Sequence, residues 1–271
     1  MIFSGKTIVL AGLTVPEVVA GVLSADNWKN GGNLGFVCAT AFLAEGAHVV
    51  LVDGAQTTLD GLAARLAAPD RVHTICVDLL DPAALARAAE TCAKKHRAVH
   101  GLVNCHFDLE DNTNFADSDD ATWNRVLEFN LLGPVRATKA FLPLLTAAGE
   151  AAVVHVGSID GQQGNPQFPA YSVAKGGLVP LTHVMANDLA ARGIRVNCVA
   201  RGMWIERGQT PSPNVRPVID QTPLGRPAYP DEIAAVILSL ISPSFSYVTG
   251  AVLTVDGGRT GITPGTRRIG T

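Results

Sequence analysis

Seven short, nearly uninterrupted apolar runs recur along this chain, at residues 6–12, 47–53, 72–77, 99–105, 151–156, 194–200 and 251–255. Between them lie stretches with helical periodicity, at about 33–45, 57–68, 81–97, 121–148, 169–191 and 230–241. A continuous apolar run, unlike an alternating one, belongs to a strand buried on both faces, and such strands are typical of parallel sheets covered by helices. Strand–helix alternation implies right-handed crossovers. The expected architecture is α/β: a single doubly wound domain over residues 1–271, with a seven-stranded parallel sheet ordered 3-2-1-4-5-6-7 and helices on both faces. A content of 47% hydrophobic residues supplies a core of that size.

The fifth run leads into Ser158, and a helical pattern then opens with Tyr171-Ser172-Val173-Ala174-Lys175. Positions four apart share a helix face, so Lys175 stands beside Tyr171. A phenol titrates near 10, and a neighbouring ammonium favours the phenolate. A shift of about three units corresponds to roughly 4 kcal/mol, enough to make tyrosine an acid or base near neutral pH. Tyr-x-x-x-Lys alone is weak, because exposed helices carry it by chance. The strand-end serine upstream makes it more specific.

Other functions are disfavoured. A net charge of −3 gives no electrostatic case for a nucleic-acid or anionic-membrane partner. The five cysteines are odd in number and widely spaced, which argues against a disulfide framework or a metal site and for a reducing cytoplasm. No signal-like segment precedes the first run, and no apolar stretch reaches membrane-spanning length. The expectation is a soluble cytoplasmic protein acting on a small molecule.

Further stretches complete a resemblance to the short-chain dehydrogenase/reductase family over nearly the whole chain. They are Leu102-Val103-Asn104, Asn130 in Glu128-Phe129-Asn130-Leu131, Ile194-Arg195-Val196-Asn197, Pro223-Leu224-Gly225-Arg226 and Asp256-Gly257-Gly258. The resemblance implies a Rossmann-type domain and hydride transfer between a nicotinamide cofactor and a secondary alcohol or ketone. It makes Asn130, Ser158, Tyr171 and Lys175 the catalytic residues. Tyr171 is then general acid or base, Lys175 lowers its pKa and holds the nicotinamide ribose, Ser158 holds the substrate oxygen, and Asn130 positions a relay water or simply bridges backbone. The cofactor-binding residues would be Gly12, Asn33, Leu34, Gly35, Asp53, Asp78, Leu79, Asn104 and Gly202, together with Tyr171 and Lys175. Asp53 ends the second strand with no cation in Gly54-Ala55-Gln56, which favours NAD over NADP. Asp78 would face the adenine or end a strand turn. Relatives assemble as homotetramers or homodimers through the helices near 121–148 and 169–191.

The sequence also departs from the family pattern. Its first glycine loop is stretched by an insertion at about 13–31, with Gly12 and Gly35 at the ends and Asn33 in place of the middle glycine. Either residues 30–35 rebuild a phosphate-binding turn, or the insertion fills that site and the protein is a non-redox binder. Cys105-His106-Phe107 follows Asn104, Arg201-Gly202 replaces Pro-Gly, and Glu206 stands where a carboxamide-binding threonine is usual. His106 reads as a packing residue, and Arg201 as a holder of an anionic substrate or of phosphate, or as a partner of Glu206. Trp28 could line a pocket or pin the insertion. The proline-rich segment 201–229 reads as a substrate flap with a short helix.

Overall fold

A computed structural model describes residues 1–13, 34–211 and 213–262. The insertion beyond Leu13, with Trp28 and Asn33, lies outside the described residues. Seven parallel strands form one sheet: β1 Thr7–Ala11, β2 His48–Asp53, β3 Val72–Cys76, β4 Gly101–Asn104, β5 Ala151–Ser158, β6 Ile194–Arg201 and β7 Val252–Val255. Their order is β3-β2-β1-β4-β5-β6-β7, as the apolar runs predict. Successive side chains on a strand point to opposite faces. Ile8, Leu10, Val49, Leu51 and Val199 therefore pack with α1 Leu34–Ala44, α2 Gln56–Leu66 and a C-terminal helix, Pro230–Ile241. Val9, Ala11, Val50, Val52 and Val196 pack on the other face with α3 Pro82–Ala93 and the helices that follow β4 and β5.

In the helical pattern at 121–148, Gly133-Pro134 reads as a break or kink, and the helix is interrupted there. It divides into α4 Asp120–Leu127, a π-helical turn Glu128–Leu132 and α5 Gly133–Ala147. Pro134 has no N–H to give the carbonyl four residues back, that of Asn130, and a wide turn relieves the conflict. Two further differences bear on the site. β5 runs two residues past the apolar run and ends on Ser158, the strand-end serine of the sequence. Residues 106–120 read as a solvent-facing acidic loop, but His106, Asp108, Leu109 and Glu110 are buried.

After β5 come a one-turn helix, α6 Asp160–Gln163, and the long α7 Pro169–Leu189. The flap holds the expected short helix, α8 Arg216–Asp220, before α9 Pro230–Ile241. Among the described residues, no helix is long and apolar enough to cross a membrane.

Candidate active site

Ser158, Tyr171 and Lys175 converge where the C-terminal end of β5 meets the first turns of α7, and all three are buried. The Ser158 Oγ accepts the Asp160 N–H at 3.1 Å, which leaves its own proton as the one to donate. The Ser158 side chain is near enough to the Tyr171 phenol to favour its ionised form. Lys175 Nζ lies 5.6 Å from the Tyr171 ring centre and donates to the carbonyls of His106 at 2.6 Å and Val156 at 2.9 Å.

The electrostatics differ from the expectation that Lys175 makes the phenol acidic. Burial dominates and pushes the Tyr171 pKa up; the opposing charge is Arg201, helped by the Ser158 side chain, while Asp160 and Glu110 raise it further. Lys175 is itself brought down to about 7, first by burial and then by Arg201.

Glu110 is a site residue that the sequence concealed within an acidic stretch. α7 begins at Pro169 with no side-chain cap from Phe168, so its first amides need an acceptor. The Glu110 carboxylate supplies it, taking Ala170 N–H at 2.7 Å and Tyr171 N–H at 3.0 Å from 60 residues away. The same loop is tied to the π turn. Asn130 Oδ1 accepts Asp108 N–H at 3.1 Å, and its Nδ2 donates to Asp108 O at 2.7 Å and Val126 O at 3.0 Å. Arg125 pairs with the Asp108 carboxylate. The Asn130 side chain is thus spent bridging backbone.

On the presumed cofactor side, the structure brings some of the expected residues together and assigns others to packing. Asp53 is buried, with Leu13 N–H at 2.6 Å and Ala55 N–H at 2.9 Å on its two oxygens, and so anchors the start of the first loop. Gly12 has φ +76°, and a Cβ there would stand 2.7 Å from the His106 ring. A Cβ at Gly133 would stand 2.6 Å from the same ring. His106 is therefore a packing residue seated between two glycines, and the bareness of Gly12 serves it. Asn104 turns into the core, its Nδ2 3.1 Å from both Thr138 Oγ1 and His155 Nδ1. Asp78 is exposed and closes a strand-end turn by accepting Leu80 N–H, while Leu79 is core. Leu34 and Gly35 begin α1. Gly202 is buried, and a Cβ there would meet Asp256 at 3.0 Å. Arg201 and Glu206 are not an ion pair, since no such contact occurs among the described residues. Cys105 is buried and its thiol is pushed up to about 12, so it is no nucleophile.

His106 and His155 are fully enclosed, and burial, then Lys175, lowers them to about 3 and about 4. Unfolded, both would titrate near 6.5, so the unfolded chain takes up protons first on acidification. Their contribution to stability is complete above about pH 6.5 and is lost toward pH 4, at roughly 1 kcal/mol per pH unit for each. Thermal melts should show this loss, and His155→Gln should flatten it. A melting temperature that holds steady from pH 7 to about pH 4.5 would refute it.

A parallel sheet with a serine, tyrosine and lysine gathered at its carboxyl edge defines the class as an α/β oxidoreductase of the dinucleotide-binding type. A family model described as enoyl-(acyl carrier protein) reductase matches residues 29–260. Galactitol 2-dehydrogenase (L-tagatose-forming) of Cereibacter sphaeroides is 38% identical, over 85% of this chain and 92% of the relative. Cis-4-hydroxycyclohexanecarboxylate dehydrogenase of Sinomonas cyclohexanicum is 36% identical, over 84% and 93%. A crystal structure of a short-chain dehydrogenase/reductase described as glucose/ribitol dehydrogenase, from Brucella melitensis, superposes with a TM-score of 0.79 at 30% identity, covering 96% of this chain and 98% of that one. This chain belongs to the short-chain dehydrogenase/reductase family of oxidoreductases, whose dehydrogenases act on alcohol groups with a nicotinamide cofactor.

Proposed function

We propose that this protein interconverts a secondary alcohol and a ketone with NAD(H), using Tyr171 as general acid and base. The observation that carries the reading is the gathering of Ser158, Tyr171 and Lys175, all buried, at the carboxyl edge of the sheet. The residues fit a nicotinamide dinucleotide in two respects. A buried carboxylate, Asp53, ends β2, one strand from the β1–β4 point where the strand order reverses, and an amine, Lys175, stands beside the phenol. When bound, the cofactor supplies or takes the hydride.

The rest is done by this chain's own groups. Because burial raises its pKa, Tyr171 rests as a neutral phenol, ready to give its proton to a ketone oxygen. Ser158 donates to the same oxygen as charge develops there. Arg201 and Ser158 stabilise the phenolate that remains. Lys175, close to its midpoint at neutral pH, can return a proton to Tyr171. The Asn130 carbonyl, deprived of its α-helical donor by Pro134, would be the acceptor for a water that links Lys175 to solvent. Incubation with NAD and a panel of secondary alcohols, followed at the NADH absorbance band, tests the activity. A flat trace across the panel would count against it.

The Asp53 carboxylate repels a 2′-phosphate, and Gly54-Ala55-Gln56 offers no cation to offset it. NADH should be preferred over NADPH, and Asp53→Asn should shrink that preference by about tenfold or more, the worth of one charge-assisted hydrogen bond. NADPH preferred by the unaltered enzyme would contradict this assignment. The non-redox reading keeps one observation on its side: the Phe107 ring lies edge-on to Tyr171, centres 5.6 Å apart, where the family carries glycine. Titration with the dinucleotide separates the two.

We also infer a homodimer or homotetramer and a cytoplasmic setting. Val173 and Val184 on α7 and Leu132 beside α5 are exposed apolar residues on the helices expected to pair. Sedimentation at micromolar concentration should show more than a monomer.

A further inference from the structure

Arg201 is the last residue of β6, and its register partner across the sheet is Ser158, the last residue of β5. Register partners on parallel strands present their side chains to the same face, so the guanidinium and the Ser158 hydroxyl share one side of the strand ends. Its carbonyl is held by Ile159 N–H at 3.0 Å, which fixes that alignment. The guanidinium lies over the Phe107 ring, 5.1 Å from its centre, and the same ring meets Tyr171 edge-on. Arg201 and Tyr171 thus both contact one aromatic ring.

What Arg201 lacks is an anion. Arg125, Arg136, Arg207, Arg216 and Arg226 each pair with a carboxylate. Arg195 is held by three backbone carbonyls. Arg201 has one hydrogen bond, Nη1 to Gly202 O at 3.2 Å, and no carboxylate within ion-pair distance among the described residues. Four of its five N–H donors remain, in a planar fork that matches an oxyanion bidentately. The nearby carboxylates are engaged elsewhere. Glu110 caps α7, and Asp160 receives Asn165 Nδ2 at 3.4 Å. A half-buried guanidinium stacked on an aromatic face without a counter-ion is a built receptor for a negatively charged ligand.

Resting on the oxidoreductase reading above, we propose that Arg201 is the specificity-determining residue of this site and that the alcohol or ketone carries a carboxylate a few bonds from the reacting carbon. With the anion on Arg201 and the oxygen between Ser158 and Tyr171, two fixed points orient the substrate. The same fork could instead take a phosphate of the dinucleotide, and the test separates these sources.

Acetoacetate, levulinate and their methyl esters are reduced with NADH by the unaltered enzyme, by Arg201→Met and by Arg201→Lys, and the NADH affinity of each is measured by calorimetry. The unaltered enzyme should favour at least one acid over its ester by about ten- to a hundredfold in kcat/KM, mostly through KM. That ratio should fall to about one in Arg201→Met and recover in part in Arg201→Lys, with NADH affinity unchanged. Esters reduced as well as acids by the unaltered enzyme would overturn the proposal while leaving the oxidoreductase reading intact. Acid and ester losing equally in Arg201→Met, together with weaker NADH binding, would assign the guanidinium to the cofactor. Reduction of neither acid nor ester by an enzyme that binds NADH and oxidises other, uncharged alcohols would also overturn it. Absence of both turnover and NADH binding would overturn the underlying reading with it.

Discussion

Tyr171→Phe lowers kcat by about a thousandfold, within the range for loss of a general acid–base group, and leaves NADH affinity within a fewfold. The ring stays because it is structural: Tyr171 packs with Leu109, Val126, Ala170 and Ala174, and its edge meets Phe107. Only the hydroxyl disappears. Thermal stability should therefore barely move while turnover collapses. Steady-state kinetics beside a melting curve reads both, and a variant retaining more than a tenth of normal turnover would remove Tyr171 from the chemistry.

Gly161→Ala acts on the same centre through backbone packing. Gly161 lies in α6 against the backbone of α7, and a Cβ there would come within 2.5 Å of Gly176 N and the Lys175 carbonyl carbon. Neither is the movable end of a side chain, so the two segments must separate. Overpacking of this kind costs about 2–3 kcal/mol, which for a chain of this size lowers the melting temperature by roughly 5–10 °C. Separation also draws Ser158 away from Tyr171 and Lys175, and misplacement near 1 Å costs about a hundredfold in rate. Melting and turnover should fall together, unlike in Tyr171→Phe. A Gly161→Ala protein with unchanged melting temperature would show that this contact has slack.

The sheet was legible in the sequence because its central strands are apolar runs buried on both faces. Strand order followed from the alternation with helices and from the resemblance. Ser158, Tyr171 and Lys175 were legible as types at a spacing, since helix geometry alone sets Lys175 one turn from Tyr171. Their electrostatics were not legible. Spacing suggested an ammonium making a phenol acidic, but burial dominates both groups, and Arg201, 30 residues beyond Tyr171, opposes burial at the phenol and adds to it at Lys175. Glu110 was hidden for a similar reason. An acidic stretch reads as solvated until a proline-started helix with unsatisfied amides is packed against it. The π turn at Asn130 could have been anticipated more sharply, because Pro134 stands four residues on. Asn104 and Gly12 match the family pattern in sequence, yet their neighbours Thr138, His155 and His106 use them for packing.

Titration of the purified protein with NADH by calorimetry tests the account most directly, because a phenol beside an amine performs redox chemistry only with a hydride carrier in reach. Saturable binding, weakened by Asp53→Asn and stronger than that of NADPH, is the predicted result. No heat from either dinucleotide at concentrations up to the millimolar range would contradict the account.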